Sequence, residues 1–253
     1  MKYLTKVAYL GTNFSGFQVQ PNLRTVHGEF ERAMRELFDA DVCVKGCSRT
    51  DAGVHANGCC ITVECATASI PPHKLPLAAI PFLPDDLAIV AAVEVDEGFH
   101  VRYDVYEKEY LYRIYNARVP LPLEHQRSWF LPQIIDENGF SDMKKAAEYL
   151  VGTHDFSSFM SEGSDVSDAV RTVRRLELSR EGSVLSVRIS ADGFLYNMVR
   201  IIVGTLVEVG LHRRTPESMA DLLSARKRAL AGMTAPPHGL YLDRVVYKNG
   251  FSF

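Results

Sequence analysis

Strand-period and helix-period segments follow one another along this 253-residue chain without the regular β–α–β alternation that a parallel sheet demands. Residues 3–10 alternate as a strand and lead into a polar loop containing glycine and proline, residues 11–22. Thr25 reads as an N-cap, and Val26, Phe30, Met34, Leu37 and Phe38 recur behind it at helical spacing. A short strand is predicted over 42–47, running into a loop around Asp51, and another over 58–65. A proline-rich stretch (Pro71, Pro72, Pro76, Pro81, Pro84) precedes a strand over 87–95.

A second series begins with a long alternating strand over 106–116 and a proline-containing loop over 119–132. The pattern then predicts a helix over 143–151, strands over 173–178 and 184–190 meeting at Glu181-Gly182, helices over 194–209 and 216–228, and a last strand over 240–247. The expected fold is α+β with antiparallel pairing, in two similar halves, 1–103 with the Asp51 loop and 104–253. No repeat of solenoid length interrupts this plan.

Composition narrows the class further. The 47% hydrophobic and 23% charged fractions are those of an ordinary globular domain, with ample sequence for a core. No apolar run approaches the roughly 20 residues of a membrane span. The first residues lack a signal-peptide core, so the expected location is cytoplasmic and no membrane partner is expected. With 31 acidic and 28 basic side chains the net charge is −3, and composition alone does not suggest nucleic acid. Cations do gather locally, at Arg171, Arg174, Arg175 and Arg188, at His212-Arg213-Arg214 and at Arg226-Lys227-Arg228. Such runs are solvated faces in most proteins. The five cysteines (Cys43, Cys47, Cys59, Cys60, Cys65) show no C-x-x-C spacing, so structural reduced thiols are expected and no metal site.

The most informative segment is Cys47-Ser48-Arg49-Thr50-Asp51-Ala52-Gly53-Val54-His55-Ala56. It sets Asp51 between Arg49, which favours the ionised carboxylate, and Gly53, which admits close backbone or ligand approach. Taken alone, R-x-D-x-G also fits an ordinary strand-connecting turn. Three other segments carry chemistry-bearing residues. In Tyr110-Leu111-Tyr112-Arg113 both tyrosines point to one face of a strand, as core packing or as a binding surface. Arg200 in Met198-Val199-Arg200-Ile201-Ile202-Val203-Gly204 sits in an apolar helix and needs an acidic partner or a ligand anion. Phe99-His100-Val101-Arg102-Tyr103, at the junction of the halves, suits a hinge, a packing element or an RNA contact equally.

These segments, in this order, resemble the motifs of the tRNA pseudouridine synthase A family: the R-T-D-A-G-V-H-A loop, F-H-x-R-F, Y-x-Y, G-x-x-D-F-S/T-S-F, M-V-R-x-I-V-G and G-L-Y-L. The last are matched by Gly152-Thr153-His154-Asp155-Phe156-Ser157-Ser158-Phe159, Met198 to Gly204 and Gly239-Leu240-Tyr241-Leu242. The resemblance extends from near residue 7 to near residue 247. Ser48, Phe17 and Tyr103 depart from residues common in the family, and none of the three touches Asp51 or the arginines. The resemblance implies two α+β halves forming a continuous, mainly antiparallel sheet with helices packed on one side and a central active-site cleft. It further implies a homodimer acting on the tRNA anticodon stem-loop, at tRNA positions 38, 39 and 40.

By the same resemblance Asp51 is the catalytic carboxylate, Tyr110 the aromatic that stacks on the flipped base, and Arg49 and Arg200 its charged neighbours. Isomerising uridine to pseudouridine needs no redox step and loses no atoms, so no cofactor and no metal is expected. Two other classes stay open at this level. One is a catalytically silent RNA-binding protein, which the intact Asp51, Tyr110 and Arg200 set disfavours. The other is an Asp-dependent hydrolase, for which the required second carboxylate or metal cluster is not visible in the sequence.

Overall fold

The computed structural model describes residues 1–163, 168–248 and 250–251. In chain order its regular elements are β1 (Lys2–Tyr9), α1 (Val26–Phe38), β2 (Cys43–Gly46), β3 (His55–Glu64), α2 (Leu75–Ala79), β4 (Leu87–Glu94) and β5 (Val105–Asn116). There follow β6 (Trp129–Leu131), α3 (Glu137–Glu148), β7 (Gly152–Asp155), β8 (Val170–Glu181), β9 (Val184–Ala191), α4 (Met198–Gly210), α5 (Ser218–Ala225) and β10 (Leu240–Tyr247). The chain is therefore α+β, and it divides into two compact units. One comprises Met1–Tyr106 with the chain from Tyr241 onward; the other is Glu107–Leu240.

In the first unit β1 lies between β4 and β3, antiparallel to both, with Thr5 opposite Ile61 on one side and Ala92 on the other. β2 adds antiparallel to β3, Gly46 facing Ile61. β10 joins β3 in parallel on the same edge as β2, away from β1, with Tyr241 beside His55. The expected antiparallel pairing thus has an exception here, and the strand that makes it comes from the far end of the chain. Tyr3, Leu4 and Val7 of β1, Phe30 and Met34 of α1, Ile61 of β3 and Leu75 of α2 are all fully buried and form the core. The Thr25 side chain accepts the Gly28 amide at 3.2 Å, so the expected cap starts α1, and Asp39, left-handed at φ 47°, ends it.

In the second unit β9 pairs antiparallel with β5 and β8, and β7 extends the sheet beyond β8. β6 runs parallel to β5. Several boundaries differ from the sequence pattern, each for a local reason. The helix expected over 143–151 begins at Glu137, because the Asp136 carboxylate caps it by accepting the Gly139 amide at 2.7 Å. The helix expected over 194–209 starts at Met198, because Asn197 is left-handed (φ 60°) and residues before it cannot continue the spiral. α5 stops at Ala225, where Arg226 turns left-handed at φ 52°. The loop expected over 119–132 contains β6, too short a strand to show a period, and α2 and β7 are similarly short.

Candidate active site

Asp51 is presented by a tight turn. The Val54 amide donates to the Asp51 carbonyl at 3.1 Å, and Gly53 takes φ 79° in the third position, the conformation that such turns give to glycine. The Asp51 side chain is half-buried and Arg49 is exposed. Thr50, between them, is buried, and its hydroxyl meets the Tyr9 hydroxyl at 2.8 Å. The Thr50 carbonyl accepts the Phe17 amide at 3.0 Å. So the residue preceding the carboxylate is pinned from the end of β1 and from the loop before α1.

The residues after Asp51 are pinned as firmly. His55, 1% exposed, accepts the Gly11 amide through Nδ1 at 2.8 Å, which leaves the ring proton of the neutral imidazole on Nε2. Its other side is covered by the Tyr241 ring of β10, 4.7 Å between centroids. Gly11 lies so close to the turn that a Cβ there would fall 2.0 Å from the Val54 carbonyl oxygen. Tyr9 and Gly11 were not singled out in the sequence, and His55 figured only as a member of the Asp51 motif, without a role. The one available signal was Gly11 at the end of a strand, which reads equally well as an ordinary loop glycine.

Tyr110 and Arg200 belong to the second unit. Tyr110 lies on β5 opposite Ile189, 7% exposed, with the Phe194 ring standing nearly perpendicular to it (87°, 5.0 Å). Tyr112, two residues on and on the same face, is fully buried, and its hydroxyl donates to the Pro236 carbonyl at 2.7 Å. Burial pushes the Tyr112 phenol well above its ordinary value, partly offset by the nearby Arg200 charge.

Arg200 is half-buried in the first turn of α4. Its Nε donates to the Ala235 carbonyl and its Nη1 to the Asn197 Oδ1, both at 2.7 Å. Both of these acceptors are neutral oxygens. The Ala235 amide returns a bond to the Arg200 carbonyl at 3.1 Å. One turn further, the Gly232 amide donates to the Thr205 hydroxyl at 3.0 Å. At Gly204 a Cβ would fall 1.9 Å from the Met233 carbonyl oxygen. The segment before β10 is therefore laid directly on α4, and the M-V-R-x-I-V-G pattern is the footprint of that contact.

The G-x-x-D-F-S-S-F segment acts as an anchor. Asp155 accepts from the Ser157 amide and hydroxyl and pairs with Arg226 at 3.1 Å, and the Ser157 bonds are the main reason its carboxyl lies below the ordinary range. Ser158 donates to the Leu222 carbonyl at 2.6 Å, while Phe156 and Phe159 are fully buried. Among the locally gathered cations, Arg174 pairs with Glu107, Arg175 and Arg188 with Glu109, and Arg214 with Glu208. Arg213 is exposed.

All five cysteines are free thiols, four of them buried, with Cys43 exposed. Among the described residues no group of three or more His, Cys, Asp or Glu side chains could hold a metal ion. No helix among them is long and apolar enough to cross a membrane.

An α+β protein that displays one carboxylate on a rigid turn, with a tyrosine-bearing strand and a backbone-clamped arginine elsewhere in the chain, has the parts of a base-modifying enzyme. The family described as tRNA pseudouridine synthase matches residues 6–104 and 146–248. The tRNA pseudouridine synthase A of Bacillus pumilus is 43% identical over 251 residues, covering 98% of this chain and 100% of that protein. That of Acetivibrio thermocellus is 43% identical over 241 residues, covering 95% and 97%. That of Bacillus subtilis is 40% identical over 251 residues, covering 98% and 100%. The chain belongs to the tRNA pseudouridine synthase family.

Proposed function

We propose that the protein is a tRNA pseudouridine synthase that isomerises uridine to pseudouridine in the tRNA anticodon stem-loop, at positions 38, 39 and 40, and works as a cytoplasmic homodimer without cofactor or metal. The observation that carries this reading is the Asp51 turn, matched in sequence and held on both sides, in a chain that aligns end to end with synthases named for this activity.

The chemistry assigns a task to each residue. The N1–C1′ bond breaks, the uracil rotates, C5 bonds to the same C1′, and the C5 proton leaves. Asp51 serves at C1′ as nucleophile, as counter-charge to a positive sugar, or as proton acceptor. The base must leave the helical stack first, and Tyr110 supplies the aromatic face that receives it. The Tyr110 hydroxyl is also a candidate acceptor for the C5 proton. Arg49 and Arg200 are the cations that the motif resemblance assigns to the reaction, and Arg49, being exposed, also suits the gap left by the flipped base or a phosphate.

Tritium release from tRNA carrying C5-labelled uridine tests the reading. Wild-type protein should release tritium in step with pseudouridine formation. Asp51→Ala and Asp51→Asn should abolish release, while tRNA binding and the thermal midpoint barely move. Release by Asp51→Ala within about tenfold of wild type, a gap of only about 1.4 kcal/mol in barrier, would overturn the assignment.

A further inference from the structure

We propose that Tyr103 is a preformed stacking platform for an unpaired RNA base, outside the Asp51 turn; the proposal rests on the RNA-modifying reading above. Tyr103 is 70% exposed, yet it is not a loose surface ring. One face leans on the His100 imidazole, 4.2 Å between centroids and 32° between planes. That imidazole is itself fixed, because its Nδ1 accepts the amides of Arg102 at 3.2 Å and Tyr103 at 3.3 Å.

The backbone beneath the ring is tied at every step. The His100 amide donates to the Asp104 carboxylate at 2.7 Å, and the Asp104 amide to the His100 carbonyl at 3.0 Å. Tyr247 donates to the Val101 carbonyl, and Lys248 donates to the Tyr103 carbonyl through Nζ and to the Asp104 carbonyl through its amide. Val101 and Phe99 are buried below. Residues 99–104 thus form a rigid knuckle whose apolar members point inward, apart from one large ring held outward.

A ring held this way has already lost the rotamer freedom that a flexible tyrosine would give up on binding. The other face of the ring is open to solvent. Arg102, adjacent and exposed, makes no ion pair among the described residues, and the Lys248 ammonium sits 3.1 Å from the Tyr103 carbonyl. The Asp104 carboxylate is occupied by the His100 amide. A flat π-surface flanked by cations, in a chain of net charge −3, complements a base and its phosphates. It does not read a base edge, so the contact accepts any base splayed from a loop or bend of the RNA.

The test uses the full-length protein and an unmodified tRNA transcript. In Tyr103→Trp, titrating tRNA should quench the added indole fluorescence, measured against wild type with its single Trp129. Tyr103→Phe should bind as wild type does, and Tyr103→Ala should weaken binding by about tenfold, within the range measured for a lost base stack. The loss should fall on Kd and KM and not on kcat at saturating tRNA.

Unchanged Kd in Tyr103→Ala, or no quench in Tyr103→Trp, overturns the platform. A shift of Tyr103→Ala to a smaller species in sedimentation also overturns it, since the ring would then face a second copy of the chain. Quench without any pseudouridine formation by wild type would sink the synthase reading and leave the platform standing. Turnover without quench would do the reverse.

Discussion

The Gly11 amide and the Nδ1 of His55 are 2.8 Å apart in the interior, and this bond ties the exit of β1 to the first residue of β3, four positions after Asp51. It works with the Tyr9–Thr50 hydroxyl pair on the other side of the turn. The carboxylate is therefore placed by residues buried behind it, and the turn has little freedom to move.

Replacing His55 by Leu leaves the buried Gly11 amide without its acceptor, a loss of about 1–3 kcal/mol in stability. Turnover should fall at least as steeply, because the turn loses its clamp on the His55 side. His55→Asn restores an acceptor near the Nδ1 position and should recover much of both. Denaturant unfolding and single-turnover rates on the three proteins check this. Equal failure of Asn and Leu would mean that ring packing against Tyr241, not the hydrogen bond, is what matters.

Tyr110 separates stacking from proton transfer. Tyr110→Phe keeps the ring and its perpendicular contact with Phe194 and loses only the hydroxyl. If stacking dominates, Phe retains substantial turnover and Ala does not, since a base stack is worth on the order of 1–3 kcal/mol. Tyr110 is 7% exposed, so Ala also opens a cavity, at about 3 kcal/mol in stability. Rates must then be measured well below the unfolding transition, with Tyr110→Leu as a filled-cavity control. Phe and Ala equally inactive would assign the hydroxyl to the C5 proton.

Gly204→Ala should force the chain before β10 off α4, because the new methyl would stand 1.9 Å from the Met233 carbonyl oxygen. Lifting that segment strains the Ala235–Arg200 bonds and the Gly232–Thr205 bond together. The expected loss is about 1–3 kcal/mol, as for overpacking elsewhere, with reduced activity through Arg200. Gly98→Ala is the control, since nothing lies within 4 Å of a Cβ there. Matching thermal midpoints for the two variants would show that the segment gives way without cost.

The sequence made α1 readable to its first residue, since the Thr25 cap and the apolar spacing agree. It placed β10 correctly but could not show its parallel pairing with β3, which is a long-range choice that no local pattern encodes. The same holds within the site. Asp51 and Tyr110 stood out only through the motif resemblance, since a loop carboxylate and strand tyrosines are locally ordinary, whereas Arg200 is unusual in so apolar a helix. Tyr9 did not, and Thr50 and His55 figured only as members of the Asp51 motif without a role, because a strand tyrosine, a loop threonine and a strand histidine are ordinary until their partners are known. A backbone carbonyl and an amide oxygen share the Arg200 guanidinium, and neither can be located from residue types along the chain.

The loop between β1 and α1 should loosen in acid through one ion pair. Arg24 grips Asp86 with two hydrogen bonds, 2.7 and 2.8 Å, and its guanidinium lies over the Phe14 ring at 4.2 Å. The hydrogen bond from Arg24 is the main reason the Asp86 carboxyl lies below its ordinary value. A carboxyl depressed in the folded state stabilises above its unfolded pKa, near 3.9, and that stability is lost as pH falls through the lower folded value. Asp86→Asn should therefore cost about 1 kcal/mol at neutral pH, the upper end for a partly exposed pair. The gap to wild type should hold from about pH 7 to pH 5 and close below about pH 4. Urea midpoints for both proteins across that range decide it. A gap that persists undiminished to about pH 2.5 would show that the Asn substitution costs stability through its side-chain amide against Arg24, not through the lost charge.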